Sequence, residues 1–384
     1  MDLSYTVEEE AFRARVRAWV EANVPAQGSL KTLDGMRAWQ RKLHAAGFLG
    51  ADWPKEYGGA GLSEMQQAIL NEELARARAP QVVNAMAIWW VGPAIIRYGT
   101  DAQKKRFIPP ILTADEIWAT GYSEPTSGSD MAAARTRAVR DGDVYVVNGQ
   151  KIWTTYAHIS DWFFVLVRTS TEGPKWAGLS LLLMDLRSPG IDIRPIRQID
   201  GSAEFNEVFM TDVRVPVTNL LGREGQGWEV VSSALINERT GIAGSVRFDL
   251  ALDWLATTAR DQGKERDPRV RQRIAELATK AAIVRYAGLR TLTDSLRGRM
   301  NPHLSAAMKL STTQLTQEFS ETAMEVLGPW AALMDDPHAP SNGRWAKQYL
   351  GDRSMTIAGG TSEVQRNIVA QRILGLPRDR AVKS

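Results

Sequence analysis

The sequence SMTIAGGTSEVQRNIVAQRILGLP, residues 354–377, decides how the rest of the chain is interpreted. Gly359 and Gly360 form a flexible pair, and without a Cβ the backbone there can approach another molecule closely. Ser362, with a glutamine three residues later, fits a capping box and predicts a helix that begins at about Thr361 or Ser362. The N–H groups at such a helix start suit a phosphate or a developing oxyanion. The alternative is a loop that simply enters a packed C-terminal helix.

The composition is that of a globular chain with balanced charge. Its 384 residues, 44% of them hydrophobic, allow two or three packed units. A net charge of +3 without a long basic run disfavours nucleic-acid binding. With no cysteine and four histidines, neither a disulfide, a thiolate nucleophile nor a metal site is expected. No apolar run approaches the roughly 18 residues of a membrane span, and the N-terminus does not resemble a secretory signal, so a cytoplasmic location is expected.

The order of patterns along the chain predicts three parts. Residues 1–116 show helical spacing, 117–223 contain short β-branched and aromatic runs separated by Gly or Pro, and 224–384 return to long helical patterns. Helices, then strands, then helices indicate an α+β fold with segregated parts. A dinucleotide-binding fold is disfavoured because no G-x-G-x-x-G follows a predicted strand.

The segment GWEVVSSALINERTGIAGSV, residues 227–246, places a carboxylate on an apolar helical stripe. Glu238 lies between Leu235 and Ile242 on that stripe. A buried carboxylate is costly unless it is paired or neutral, and burial raises its pKa toward the range of a general base near neutral pH. The alternative is a structural salt bridge to Arg239 or to another arginine.

Two stretches of the strand-rich part place small hydrogen-bonding side chains beside aromatic ones. They are GYSEPTSGSD, residues 121–130, and KIWTTYAHISDW, residues 151–162. The first also fits an ordinary turn. In the second, Trp153 precedes two threonines at a predicted strand end, and the alternative is a buried Trp whose neighbouring hydroxyls bond within the sheet.

Several segments, in order, resemble the motifs of the acyl-CoA dehydrogenase family, FAD-dependent enzymes that convert an acyl-CoA into a 2,3-enoyl-CoA. They are WPKEYGG, GYSEPTSGSD, KIWTT, NEVFMTDVRVP, GREGQGW, NERTGIA and IAGGTSEVQRNIVAQRILGLPR. The resemblance covers essentially the whole chain. It implies an N-terminal helical domain, a middle antiparallel β-barrel-like domain and a C-terminal four-helix bundle.

The resemblance implies where FAD and the substrate contact the middle part of the chain. Matching positions place Tyr122 and Ser123 along the flavin ring and Ser129 near the ligand's phosphates. Trp153 and Thr155 match residues that contact the isoalloxazine, with Thr155 bonding near N5.

The resemblance also offers two positions for the catalytic base. Members of the family carry a glutamate either just before the Gly-Thr of the C-terminal signature or on the first helix of the C-terminal domain, immediately before an arginine. The first position holds Gly359 here, and the second holds Glu238, followed by Arg239. Glu238 is therefore expected to take the α-proton while a hydride passes to flavin N5. The Gly359 N–H is expected to polarise the thioester carbonyl, and Arg239 to orient or balance charge.

At the adenine end of FAD, the matching residues are Thr361 and Glu363. This assignment implies a flavin shared across a subunit interface, hence a homotetramer or a dimer, with a heteromer possible. An electron-transfer flavoprotein is the implied electron acceptor. The motif sequences resemble the branch that acts on dicarboxyl, bulky or steroid-derived acyl-CoAs more than they resemble the short-chain enzymes.

Three departures from the family pattern bear on these expectations. The Arg-x-x-Phe-Gly segment that contacts the neighbouring FAD is replaced around KERDPRVRQRI, where Arg271 or Arg273 is the candidate substitute. A Gly-Gly reads Gly328-Pro329, and TSGSD replaces GAGSD. Two alternatives remain open on the same fold: a non-catalytic partner subunit of a heteromeric dehydrogenase, and an oxygen-using oxidase or monooxygenase.

Overall fold

A computed structural model of the chain describes residues 5–26, 28–236 and 241–377, with the backbone alone at 235–236 and 241–245. In that part of the chain the helices are α1 (Val7–Asn23), α2 (Leu33–Ala45), α3 (Glu64–Arg76), α4 (Gly92–Tyr98), α5 (Asp101–Thr113), α6 (Gly227–Ile236), α7 (Gly241–Asp261), α8 (Pro268–Leu296), α9 (Leu304–Leu327), α10 (Arg344–Gly351) and α11 (Ser362–Ile368). The strands are β1 (Trp118–Gly121), β2 (Arg137–Asp141), β3 (Val144–Thr155), β4 (Trp162–Arg168), β5 (Leu179–Asp185), β6 (Ile191–Pro195), β7 (Phe205–Pro216) and β8 (Leu220–Leu221). Helices, a sheet and helices follow one another, so the predicted α+β class is confirmed.

The described residues group into two compact units. The first, called the sheet unit here, comprises the described residues of Asn23–Ser63 and Ala79–Glu238. It contains the sheet together with α2, α4, α5 and α6. The second, the helical unit, comprises the described residues of Met1–Ala22, Glu64–Arg78 and Arg239–Ser384.

The sheet unit is built on one eight-stranded sheet with the order β6-β7-β3-β2-β4-β5-β8, and β1 pairs with β4. Strands β2 and β3 form a hairpin: they pair antiparallel across a turn at Gly142, whose φ of +63° suits glycine. Most pairings are antiparallel as expected, but β1 and β2 each pair parallel with β4. Fully buried Phe163, Val165 and Leu182 contribute to the core against this sheet.

The helical unit has its own core, in which α7, α8 and α9 pack against one another and α11 packs on α9. Phe248 and Phe319 stack in that core with ring centroids 5.6 Å apart. Pro268 is the first residue of α8, and Asp267 caps that helix by accepting the backbone N–H groups of Arg269 and Val270.

The helices of the first 116 residues are divided between the two units. The part of α1 up to Ala22 and α3 belong to the helical unit, whereas α2, α4 and α5 belong to the sheet unit. Glu73 of α3 accepts hydrogen bonds from Arg13 and Arg17 of α1, which joins those two helices. The predicted domain boundaries at 116/117 and 223/224 come from the change of pattern along the chain. They stay a prediction.

Candidate active site

The loop after β1 is held in place by a buried ion pair that the sequence patterns did not single out. The Lys151 ammonium, 0% exposed, lies 2.8 Å from the Glu124 carboxylate and 3.2 Å from the carbonyl oxygen of Tyr122. Glu124 also accepts the backbone N–H groups of Arg135 and Thr136 at 2.6 and 2.8 Å. The pair thus joins the 121–130 loop to β3 directly before Trp153.

The electrostatics of this pair follow from its burial. Burial raises the pKa of Glu124, but the Lys151 ammonium and the hydrogen-bond donors outweigh it and hold that pKa below its usual value. Burial lowers the pKa of Lys151 to about 8, against the opposing effect of Glu124. A lysine between Gln150 and Ile152 in a strand is typical of a solvated face, so only the position of Glu124 in the S-E-P motif could have indicated the pair.

Trp153 lies on an irregular turn of β3. The register between β3 and β7 shifts between Lys151 and Thr154, and Trp153 adopts a left-handed φ of +60°. Its indole is 55% exposed and contacts Phe205 edge-on, with ring centroids 6.0 Å apart. The alternative interpretation of Trp153 as a buried core residue is therefore wrong. An exposed aromatic face on a rigid strand is what a flat ligand requires.

The structure brings Tyr122, Ser123, Trp153 and Thr155 together. The Ile152 N–H donates to the carbonyl of Ser123 at 3.0 Å, which places the loop alongside the strand. The Tyr122 Oη atom is buried without a hydrogen-bond partner among the described residues, and burial raises its pKa. Thr155 is partly exposed at the end of β3. The loop residues Tyr122 and Ser123 therefore lie alongside the strand that carries Trp153 and Thr155.

Ser129 lies on the far part of the same loop and is exposed. The turn before it is fixed by Ser127, whose hydroxyl donates to the carbonyl of Asp130 at 2.7 Å. Asp130, the residue after Ser129, pairs with Lys175.

In the helical unit, the glycine pair leads into α11 as predicted, but the cap differs from the prediction. Thr361, not Ser362, is the N-cap, and its hydroxyl accepts the N–H of Val364 at 3.2 Å. The glutamine of the expected capping box, Gln365, instead donates to the carbonyl of Gly359 at 2.9 Å. The Ser362 Oγ atom is buried and has no hydrogen-bond partner among the described residues.

Gly359 has the features that a ligand-facing backbone requires. Its φ is +64°, and a Cβ placed there would meet no atom within 4 Å, so open space faces this residue. Gly360 is fixed differently, since the Lys309 ammonium donates to its carbonyl at 2.7 Å. Glu363 is exposed and pairs with Arg366 at 3.2 Å, and hydrogen bonds at the helix start lower its pKa.

The structure describes both candidate arginines, Arg271 and Arg273, but not the proposed base or its neighbour. Glu238 and Arg239 lie outside the described residues, because α6 is described to Ile236 and α7 from Gly241. Of the two arginines that could replace the missing family arginine, Arg273 pairs with a glutamate one helical turn away, at 2.8 Å. Among the described residues, the Arg271 side chain makes one contact, at 3.5 Å to the carbonyl oxygen of Glu265, which leaves its guanidinium freer for a ligand.

Two further features bear on the class of protein. Among the described residues, no group of three or more His, Asp or Glu side chains is placed to hold a metal ion. None of the described helices is long and apolar enough to cross a bilayer.

Comparison with known proteins identifies the family. Models of the acyl-CoA dehydrogenase N-terminal, middle and C-terminal domains match residues 6–115, 119–213 and 225–374. The chain belongs to the acyl-CoA dehydrogenase family, and it is an oxidoreductase of the flavoprotein type that this family comprises.

Individual relatives extend along the whole chain. It is 40% identical over 383 residues to "Acyl-CoA dehydrogenase IpdE1" of Mycobacterium tuberculosis, covering 96% of this chain and 98% of that protein. Among solved structures, "Tcur3481-Tcur3483 steroid ACAD" is 31% identical with a TM-score of 0.88, covering 99% of this chain and 100% of the other. "Crystal structure of the ChsE4-ChsE5 complex from Mycobacterium tuberculosis" is 34% identical with a TM-score of 0.87, over 99% and 100% of the two chains.

Proposed function

We propose that the chain dehydrogenates an acyl-CoA thioester between its α and β carbons, with Glu238 as the base that takes the α-proton. The observation that carries this proposal is the exposed Trp153 surface beside Tyr122 and Ser123, in a chain that belongs to a family of acyl-CoA dehydrogenases. The Gly359 position, where other members carry a glutamate, leaves Glu238 as the base.

FAD fits the residues of the sheet unit. The exposed face of Trp153 supplies an aromatic surface, and the buried, unpartnered Tyr122 Oη and Thr154 Oγ1 atoms are polar groups for which no described residue is a partner. Ser123 and Thr155 add hydroxyls on the same surface. When bound, FAD supplies the acceptor for the hydride that leaves the β carbon.

The chain's own residues then have separate tasks. The α-proton of a thioester is weakly acidic, so its removal needs a polarised carbonyl, and the N–H of Gly359 is the proposed donor. Glu238 takes the proton, and the apolar stripe around it favours a pKa suited to that step. Arg239 balances charge, and Ser129 contacts a phosphate of the CoA. An electron-transfer flavoprotein is the proposed acceptor of the electrons.

We further propose that the acyl group is bulky or steroid-derived and that a second, different chain completes the assembly. The support is the similarity to a structure titled as a steroid ACAD and to one titled as a complex of two different chains. A non-catalytic role for this chain within such an assembly is the second candidate function.

The variant Glu238→Gln tests the proposal. We expect it to retain FAD and acyl-CoA binding and to lose about a hundredfold or more in turnover, because a positioned general base contributes about 10²–10⁴-fold. The measurement is anaerobic bleaching of the flavin with a panel of acyl-CoAs. Glu229→Gln, which removes an exposed carboxylate of α6, is the matched control and should bleach normally.

A second substitution makes the test more specific. In the Glu238→Gln background, Gly359→Glu places a carboxylate at the other position that the family uses, and it should restore part of the turnover, whereas Gly359→Ala should not. Substantial bleaching by Glu238→Gln alone would refute the assignment of the base. A chain that binds FAD but never bleaches would favour the non-catalytic role, and rapid reoxidation by air would favour an oxidase.

A further inference from the structure

In the helical unit, the guanidinium groups of two arginines lie over the ring of one tryptophan, Trp254. The guanidinium carbon of Arg344, the first residue of α10, lies 3.0 Å from the centroid of the Trp254 ring on α7. The guanidinium carbon of Arg78, just after α3, lies 4.7 Å from the same ring. Stacking on an indole leaves the edge N–H groups of a guanidinium free to bind a ligand.

The arginine on α10 is held in place by its neighbours. Trp345 is 1% exposed and donates its indole N–H to the hydroxyl of Thr258 at 2.9 Å, one turn beyond Trp254 on α7. Gly343 has a φ of +68°, and a Cβ there would come within 1.7 Å of the Met334 carbonyl oxygen. The backbone on both sides of Arg344 is therefore fixed, and so is the direction from which its side chain reaches Trp254.

The charge of this cluster is not compensated by the described residues. Within the described part of the chain, neither the Arg78 guanidinium nor the Arg344 guanidinium takes part in an ion pair or a hydrogen bond, and their contacts are with aromatic rings. Burial, and then the charge of Arg78, lower the pKa of Arg344 to about 10. Two cations close together without a carboxylate repel one another, and an anion between them would reverse that cost.

We propose that Arg78, Arg344 and Trp254 form a binding site for a small oxyanion of the phosphate type. Two guanidinium forks match the oxygens of a tetrahedral anion, and charge-assisted hydrogen bonds are the strong ones. The indole orients both forks. This site uses none of the residues assigned to FAD or to the acyl-CoA.

The test is a titration of the FAD-loaded protein with inorganic phosphate, followed by ³¹P NMR line broadening at constant ionic strength set with chloride. We expect saturable binding that weakens at least about tenfold in Arg78→Gln and in Arg344→Gln, because each removes one charged fork. Arg260→Gln removes an exposed arginine from the same helix α7 and should bind phosphate as the unaltered protein does.

Further variants separate loss of binding from loss of folding. Arg78 is exposed, so Arg78→Gln should melt at the same temperature as the unaltered protein in chloride. Arg344→Lys keeps the charge without the planar fork and should bind with intermediate affinity. The proposal is overturned if the unaltered protein shows no saturable phosphate binding, or if all variants bind equally, the signal then coming from another site. A further outcome also overturns the proposal: phosphate does not bind, and Arg78→Gln dissociates the assembly. In that case the cluster pairs with a carboxylate of a partner subunit rather than with a small anion.

Discussion

At the scale of single residues, two side chains of β3 that are two residues apart have opposite surroundings. Lys151 is fully buried and paired, whereas Trp153 is 55% exposed. The irregular turn between them explains the contrast, because it moves Trp153 out of the regular alternation of the strand. The buried pair joins the 121–130 loop to β3, and the exposed Trp153 indole lies two residues further along that strand.

Lys151→Met should destabilise the chain strongly. Glu124 would remain buried without its cation, and breaking a buried pair in this way costs about 3–5 kcal/mol. The matched control is Lys175→Met, which breaks the exposed pair with Asp130 and should cost about 0–1 kcal/mol. The free energy of unfolding in urea measures both. Equal costs for the two variants would show that the Glu124–Lys151 pair does not stabilise the loop.

Trp153→Ala should weaken FAD binding by about tenfold or more, since an aromatic contact contributes about 0.5–1.5 kcal/mol beyond its buried area. Stability should change little because the indole is more than half exposed. Trp176→Ala, which removes an indole that is 51% exposed elsewhere in the sheet unit, is the control. Equilibrium dialysis of FAD gives the dissociation constants, and equal retention by both variants would contradict the FAD surface proposed here.

At the scale of elements, the strands from β4 to β7 were predictable, whereas the cap of α11 and the burial of Lys151 were not, for physical reasons. β-branched runs bounded by Gly and Pro predict β4 to β7, because short-range pattern sets them. The cap of α11 was not predictable to the residue: Thr361 and Ser362 are both good caps, and the choice depends on Gln365 turning back to Gly359. Lys151 was missed because only tertiary packing distinguishes a buried lysine from a solvated one.

The junction of α10 and α9 should respond to pH. Asp352, at the end of α10, is 8% exposed, and burial raises its pKa to about 6 from 3.8. The folded state therefore binds this proton more readily than the unfolded state. Its stabilising contribution is full below pH 3.8 and is lost as the pH rises through about 6.

Asp352→Asn should remove that part of the pH dependence. At pH 7 the variant should be as stable as the unaltered protein or more stable by about 1–2 kcal/mol, after allowance for solvent screening. The measurement is the free energy of unfolding from urea titrations between pH 4 and pH 7. A variant that is less stable at pH 7, with an unchanged pH profile, would show that the carboxylate is stabilised by its neighbours Ser320 and Gln348.

At the scale of the whole molecule, the family and the order of helices and strands were evident from the sequence, but the grouping of helices was not. α1 and α3 join the helical unit through contacts such as Arg17 to Glu73, which span more than fifty residues of chain. Local pattern carries no information on such pairings. The proposed role of Glu238 rests on its place in the sequence pattern and on the resemblance, since Glu238 lies outside the described residues.

The chain should form an assembly of more than one subunit. The proposed contact of Thr361 and Glu363 with a neighbour's FAD requires it, and a tetramer would have four times the 42.5 kDa of one chain. Sedimentation of the FAD-loaded protein, alone and with a co-expressed second chain, measures this. A monomer that retains FAD stoichiometrically would contradict both the shared cofactor and the proposed heteromer.

The irregular turn in β3 also limits how the gene can change over time. A single-codon deletion between Lys151 and Thr154 would restore the regular register with β7 and reverse the faces of the residues on one side of it. Substitutions in this stretch should therefore be tolerated more readily than insertions or deletions. The loss or gain of one residue there would disrupt the sheet and the candidate FAD surface together. Length in this strand should be inherited more faithfully than sequence.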